Sequence, residues 1–370
     1  MDITAFQALQ SQVLWAAFAL SLAFGAIAQR TNFCTMGAIS DIYNMGSWTR
    51  MRMWGMAVGV AMIGFYLMAW LGLINPAQTI YASAQVLWLS ALLGGALFGL
   101  GMVLASGCGS KTLVRIGEGN LKSLVVFFVM GLAAFATMRG MTALLRGNTV
   151  DLVFFDIKPG NAVPAWLSAM LGFDAGTTGL VLALLAGGAL VIWALWDAEF
   201  RSSGKNLLAG LGIGAVIASM WWVIGHMGFV PEHPETLEPV YLGTAGGSLQ
   251  ALSFTSPMAR TLEWVIFFDP SKALSLGVVS VFGVVLGALA YALYNRSFHW
   301  EGFRGTQDTA LHIIGAACMG IGGVTAGGCT VGQGLSGLST LSVTSMIAVA
   351  GIMLGAIAGL RLQMWLIMRE

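Results

Sequence analysis

Charge is what this 370-residue chain has least of: Asp, Glu, Lys and Arg make up 9% of it, where roughly 25% is usual for soluble domains. A soluble globular domain is excluded. Proline is scarce as well, with 8 residues, so few of the long apolar runs are interrupted. The net charge is +1 and no run of basic residues occurs, which argues against nucleic acid or another polyanion as a partner. Cysteines number 4, without a CxxC or other paired spacing, so zinc, a redox pair and an iron–sulfur cluster have no support, and no cofactor or metal is expected. The opening segment MDITAFQALQSQ lacks the basic start and small-residue cleavage site of a signal peptide, so the first apolar run reads as a spanning helix.

What the chain does have is 57% hydrophobic residues and 50 glycines, the composition of membrane helices whose backbones approach closely. Runs of about 20 apolar residues, enough to cross a bilayer, fall at 12–29, 53–74, 86–105, 121–139, 176–196, 206–226, 273–294, 309–326 and 342–361. The fold expected is an all-α polytopic membrane protein with about nine transmembrane helices, forming one integral domain over 1–370. Segment 241–268, broken by GGS and Pro257, reads as a re-entrant pair on one side, which is tolerated only inside protein or against a cavity.

Orientation follows the basic residues. Arg30, Arg50 and Arg52 crowd the first loop, Arg201 and Lys205 the fifth, Arg296 and Arg304 the seventh, and these loops read as cytoplasmic. The tract with Glu232, Glu235 and Glu238 has no Lys or Arg and reads as external. The N-terminus is then outside and the C-terminus, with Arg361 and Arg369, in the cytoplasm.

Residues 99–108, GLGMVLASGC, match 320–329, GIGGVTAGGC, at six of ten positions without a gap, and the identities include Cys108 and Cys329. A weaker echo pairs FGAIA at 24–28 with LGALA at 286–290. The helix before Cys108 runs inward and the one before Cys329 outward, so the copies are inverted: repeat 1 over about 12–145, repeat 2 over about 244–361, and intervening helices over 146–243. Inverted repeats are a transporter architecture in which broken helices aim backbone N–H groups and positive dipole ends at a shared site. An anion is its natural occupant.

A lone cysteine in an apolar segment is ordinarily a small buried hydrophobe, and Cys318 keeps that reading. Cys108 and Cys329 differ because each follows glycine at equivalent places of the repeat; Cys34, in RTNFCTMGA, stays open on its residues alone. A thiol in a low-dielectric setting stays protonated and acts as a weak, soft S–H donor, suited to a sulfur-bearing anion that must also be released. Thr330 and Gln333 offer donors to an oxyanion or, equally, caps for the following helix. Lys111 and Arg115 either draw an anion to the inner mouth or snorkel to the interface. The candidate substrate-binding set is Cys34, Cys108 and Cys329, the flanking Gly107, Gly109 and Gly328, and the donors Lys111, Thr330 and Gln333.

Two motifs are declined. GCGSKT has Ser110 and Ala105 where a phosphate loop needs glycine, and GQGLSG at 332–337 has no parallel sheet around it. His226, His233, His299 and His312 share no spacing and read as interfacial or packed.

RTNFCTMGAISD after the first helix, ASGCGSKTLVRIGEGNLKS after the third, GGCTVGQGLSGLSTLS after the eighth and SFTSP at 253–257 resemble the YeeE/YedE membrane proteins, thought to import thiosulfate. The resemblance covers most of the chain. It implies an hourglass-like fold with inverted repeats, key thiols at Cys34, Cys108 and Cys329, and a relay of thiosulfate between thiols by hydrogen bonds. Cys318 matches none of its motifs. The chain departs from the family in an extra polar stretch near 146–175 and in Lys111, so a selenium species or another sulfur anion stays open, as does a soluble sulfur-carrier or sulfurtransferase partner at the inner face.

Bringing a dianion into a negative-inside cell costs about 4.6 kcal/mol per 100 mV, so uptake needs a co-transported cation or prompt consumption inside. Few carboxylates lie in the spans, with Glu263 and Asp269 near the outer loop, which favours consumption. The rival class is an embedded sulfurtransferase carrying a persulfide on Cys108 or Cys329, for which only Lys111 offers a nearby helper; a third is a scaffold for a soluble sulfur carrier, in which the cysteines are dispensable.

Overall fold

In the computed structural model residues 3–234, 236–268, 274–303 and 305–368 are described; Glu235, Asp269, Arg304 and Arg369 lie outside them. The chain is mostly helix. The first helices are α1 (Ile3–Thr31), α2 (Thr35–Met45), α3 (Thr49–Trp70), α4 (Trp88–Leu104), α5 (Gly109–Gly117), α6 (Leu121–Arg139), α7 (Met141–Gly147) and α8 (Val163–Leu171). There follow α9 (Ala175–Trp196), α10 (Ala198–Ser202), α11 (Gly204–Leu207), α12 (Ile213–Trp222), α13 (Thr255–Ile266), α14 (Leu276–Tyr294), α15 (Thr306–Thr325) and α16 (Val343–Ile367).

Among the described residues nine helical segments are long and apolar enough to cross a membrane: Ile3–Met45, Thr49–Trp70, Trp88–Gly117, Leu121–Arg139, Ala175–Trp196, Gly204–Met227, Leu276–Tyr294, Thr306–Thr325 and Val343–Leu366. Each falls on an expected run. The first and third are longer than expected because each continues past a break into a second short helix, α2 and α5. Residues 242–254 are irregular and α13 is 12 residues long, so 241–268 adds no span. The polar stretch at 146–175 holds α8 and a two-residue strand, Phe155–Asp156, paired antiparallel with Gln85–Val86.

Glycine sets the helix spacing. A Cβ at Gly101 would lie 2.5 Å from Gly315 O and one at Gly315 2.6 Å from Gly101 O; Gly94 and Gly322 stand in the same mutual relation at 2.8 and 2.6 Å. Thus α4 and α15 cross backbone to backbone. In the register of the sequence repeat Gly94 corresponds to Gly315 and Gly101 to Gly322, so each glycine meets the counterpart of the other. Helices α1 and α14 do the same, Gly25 against the Val284 carbonyl and Gly287 against the Leu22 carbonyl. Here the register of the FGAIA and LGALA echo makes Gly25 equivalent to Gly287 and Leu22 to Val284.

The loops gather on two faces. On one, Ile80 N–H donates to Leu249 O and Leu249 N–H to Gln78 O, both at 3.0 Å, and Ile157 N–H donates to Ala84 O. On the other, Arg52 donates to Trp193 O at 2.7 Å and lies 3.6 Å from Asp197, while Leu121 N–H donates to Glu301 O. The basic first, fifth and seventh loops therefore share this second face.

Gly101→Leu should lower stability by about 3 kcal/mol through overpacking. Gly188→Ala, where a Cβ meets nothing within 4 Å, should be neutral. Thermal melts of the purified proteins in detergent check the contrast.

Candidate functional site

Three helices end in the same way. Asn32 (φ 53°), Ser106 (φ 55°) and Gly327 (φ 72°) turn left-handed after α1, α4 and α15. The next residue closes each end by donating five positions back: Phe33 to Ala28 O at 3.2 Å, Gly107 to Met102 O at 2.8 Å and Gly328 to Gly323 O at 2.8 Å. This satisfies helix-end carbonyls that lipid could not. The residue after that is in each case a cysteine, Cys34, Cys108 or Cys329, which begins the next helical turn.

Each cysteine stands at the start of a helical turn, and two of them accept a backbone N–H of that turn. Gly37 N–H donates to Cys34 Sγ at 3.4 Å and Gly332 N–H to Cys329 Sγ at 3.5 Å. Cys108 precedes α5, with Sγ 3.3 Å from Ser110 Oγ. The Cys34 and Cys108 thiols lie near enough to influence one another, and Thr330 stands near Cys108 from the Cys329 loop. The structure thus joins the three cysteine segments into one cluster. Cys108 and Cys329 are fully buried, and all four cysteines are free thiols. Cys318 lies inside α15, apart from any break.

The other predicted residues divide by role. Thr330 Oγ1 is buried with no well-formed hydrogen bond among the described residues, so its donor is uncommitted. Gln333 is engaged at both ends: its amide donates to Ala326 O at 2.8 Å and its carbonyl accepts from Ser345 Oγ at 2.5 Å. It is a strut under the Cys329 loop. Gly327 and Gly328 leave room for it, since a Cβ there would lie 3.0 Å from Gln333 Nε2 and 3.2 Å from Gln333 Cγ. Gly109 gives space to Met130 and Met258, and Gly107 to Lys111 and Arg115.

Cys34 opens onto a hollow of about 340 Å³ lined by Arg50, Ser106, Lys111, Arg115, Glu118 and Glu301 among others. Lys111 points into it rather than snorkelling outward. It lies 3.8 Å from Glu118 and donates weakly to Asn32 Oδ1 at 3.5 Å. Arg115 donates to Ser106 O at 2.7 Å, steadying the left-handed residue, and Arg50 lies against Gly37 and pairs with Asp41 at 3.2 Å.

Sequence reasoning missed Tyr81 and Ser253. Tyr81, in the loop after α3, donates to Gly332 O at 2.6 Å; burial pushes its hydroxyl well above the ordinary tyrosine range and keeps it a neutral donor. Ser253 packs where a Gly332 Cβ would stand, and only the SFTSP segment hinted at it. Nothing in the sequence marks Tyr81. The histidines sit apart from the thiols: His312 packs by Asp308 at 3.0 Å and Phe303, and His226 stacks on Trp222.

Gln333→Met fills the same space but strands Ala326 O and Ser345 Oγ. It should cost about 1–3 kcal/mol for each partner left buried and unpaired and expose Cys329, read as a lower melting temperature and faster labelling by a small thiol reagent.

Residues 30–358 match the family described as Sulphur transport. The chain is 26% identical to thiosulfate transporter TsuA of Escherichia coli (strain K12) over 341 residues, 90% of this chain and 89% of that one. It is also 26% identical to thiosulfate transporter TsuA of Spirochaeta thermophila over 354 residues, covering 93% and 97%. Probable transporter YedE of Salmonella typhimurium matches over 199 residues, 52% of this chain and 43% of its own length, at 26% identity. With its nine candidate spans and a family match over most of its length, the chain belongs to the sulphur-transport (YeeE/YedE) family of multi-pass membrane transporters.

Proposed function

We propose that this protein carries thiosulfate, or a closely related sulfur anion, across the bacterial inner membrane along a path lined by Cys34, Cys108 and Cys329. The observation that carries this reading is the convergence of three identically built helix breaks, each ending in a cysteine, on one buried cluster. The names of the TsuA relatives agree with the substrate.

The reciprocal glycine contacts of α4 with α15 and of α1 with α14 support two inverted repeats, over about 12–145 and 244–361, around a pseudo-twofold axis. A self-complementary contact, in which i meets the counterpart of j and j that of i, is what a twofold produces. In this reading α2, α5 and the turn Gly332–Gly337 are re-entrant pieces meeting at the waist of an hourglass. A polar hollow of about 450 Å³ near Gln78 and Tyr241 lies on the face opposite the Cys34 hollow.

By the positive-inside rule the face with Arg50, Arg52 and Arg201 is cytoplasmic, which puts the N-terminus outside and the C-terminus inside. Cys329, held by Tyr81 from the opposite loops, is then the first thiol met from outside, Cys108 the second and Cys34 the last. The anion passes between them by exchanging weak S–H and N–H hydrogen bonds. Thr330, Gly107, Gly109 and Gly328 line the route, Gln333 shapes it, and Lys111 receives the anion at the inner mouth. A soluble sulfur-carrier or sulfurtransferase at that face consumes it, which offsets the cost of moving a dianion inward.

Uptake of labelled thiosulfate, with sulfate as control, tests the reading. Cys34→Ala, Cys108→Ala and Cys329→Ala should each lose most uptake and Cys318→Ala should keep it. Normal transport by all four variants would remove the thiols from the path, and a persistent persulfide on Cys108 or Cys329 by mass spectrometry would favour a sulfurtransferase.

A further inference from the structure

Trp54, on α3, is 8% exposed, and its indole Nε1–H is buried without a hydrogen-bond partner among the described residues. A dry, unpaired indole N–H costs about 1–3 kcal/mol, and buried tryptophans ordinarily find an acceptor. Its surroundings show what is missing. Trp54 lies against Gly334, where a Cβ would sit 3.1 Å from Cζ2 and 3.8 Å from Nε1. Gly334 is four residues after Thr330, and Gln333 N–H to Cys329 O and Leu335 N–H to Val331 O bracket it with helical spacing. Thr330 and Gly334 therefore share a face, and Thr330 carries another uncommitted donor, beside Cys108.

One turn earlier on α3, and on the same face, Arg50 lies against Gly37, whose N–H caps Cys34, and lines the Cys34 hollow. Helix α3 thus presents two donors in series, Trp54 against Gly334, one turn past Thr330, and Arg50 beside Gly37 and the Cys34 hollow. Both are hard N–H donors, whereas the thiols that α1, α4 and α15 bring up are soft.

We infer that Trp54 is a substrate-binding residue whose indole N–H takes an oxygen of the passing anion, so that the anion travels with its oxygens toward α3 and its terminal sulfur toward the thiols. The inference rests on the thiosulfate reading above. It names the ligand class more closely, an anion bearing both oxygen and a soft sulfur, and it assigns Trp54 to specificity rather than to packing.

The test replaces Trp54 with the isostere in which sulfur takes the place of the indole nitrogen, which keeps shape and removes only the donor, alongside Trp54→Phe. Thiosulfate uptake is measured over a range of concentrations, with melting curves for each protein. The isostere should melt like wild type and raise the half-saturating concentration about tenfold, as expected for loss of a hydrogen bond to a charged group. An isostere with wild-type uptake at every concentration overturns the inference while leaving the thiosulfate reading intact. Wild-type protein that takes up no thiosulfate overturns that reading and this inference with it.

Discussion

The close approach of α4 and α15 is the constraint on which the rest of the molecule depends. Lipid is as apolar as leucine, so no hydrophobic force drives one membrane helix against another, and dispersion between backbones must do so. Gly94, Gly101, Gly315 and Gly322 allow it, since any side chain there would meet a carbonyl or amide at under 3 Å. Because Cys108 and Cys329 follow the two helices that cross here, a larger residue would shift the thiol segments as well as the helices. Stability and site geometry are here set by the same atoms.

Breaking a helix in a membrane leaves carbonyls that must be satisfied within the protein. The left-handed turn solves this locally, returning an N–H to the unfinished helix and freeing the next residues to start another. The cysteine that follows is then held at a helix start, with the sulfurs of Cys34 and Cys329 turned toward backbone N–H groups and that of Cys108 toward Ser110 Oγ. Two of the three turns use Asn32 and Ser106 instead of glycine. Asparagine tolerates this conformation, but serine is disfavoured in it, and Arg115 bonded to the Ser106 carbonyl helps hold it.

How far the site could be read in the sequence follows from these mechanisms. The nine spans were visible because hydropathy over 20 residues is a sum that no single contact overturns. The breaks at Cys108 and Cys329 were visible through glycine and self-similarity; Cys34 was not, because Asn32 carries no glycine signal and its echo at 286–290 excludes the cysteine. Gln333 read equally as ligand donor or cap, and only the positions of Ala326 and Ser345 show that both ends of its amide are spent. Tyr81 and Trp54 were invisible, since each acts on a loop more than 250 residues away and neither has a pattern in its own segment.

The electrostatics of the Cys34 hollow bear on the proposed direction. Arg50, Lys111 and Arg115 face Glu118 and Glu301 there, and most of these charges are partly neutralised by ion pairs: Arg50 with Asp41, Lys111 with Glu118, and Glu301 with Lys122 at 3.6 Å. Arg115 is committed to a carbonyl instead and forms no ion pair among the described residues. A modest positive field suits an exit better than a trap. On the proposed path it would draw a dianion past Cys34 without the deep well that unpaired guanidinium groups would make, and conduction needs sites that are easy to leave. Since the membrane potential would oppose the same step by about 4.6 kcal/mol per 100 mV, a weak exit site would fill only transiently. On the proposed path net inward flux would depend on how fast the anion is removed from the hollow, so that reading calls for a consuming partner at this face rather than storage of the anion within it.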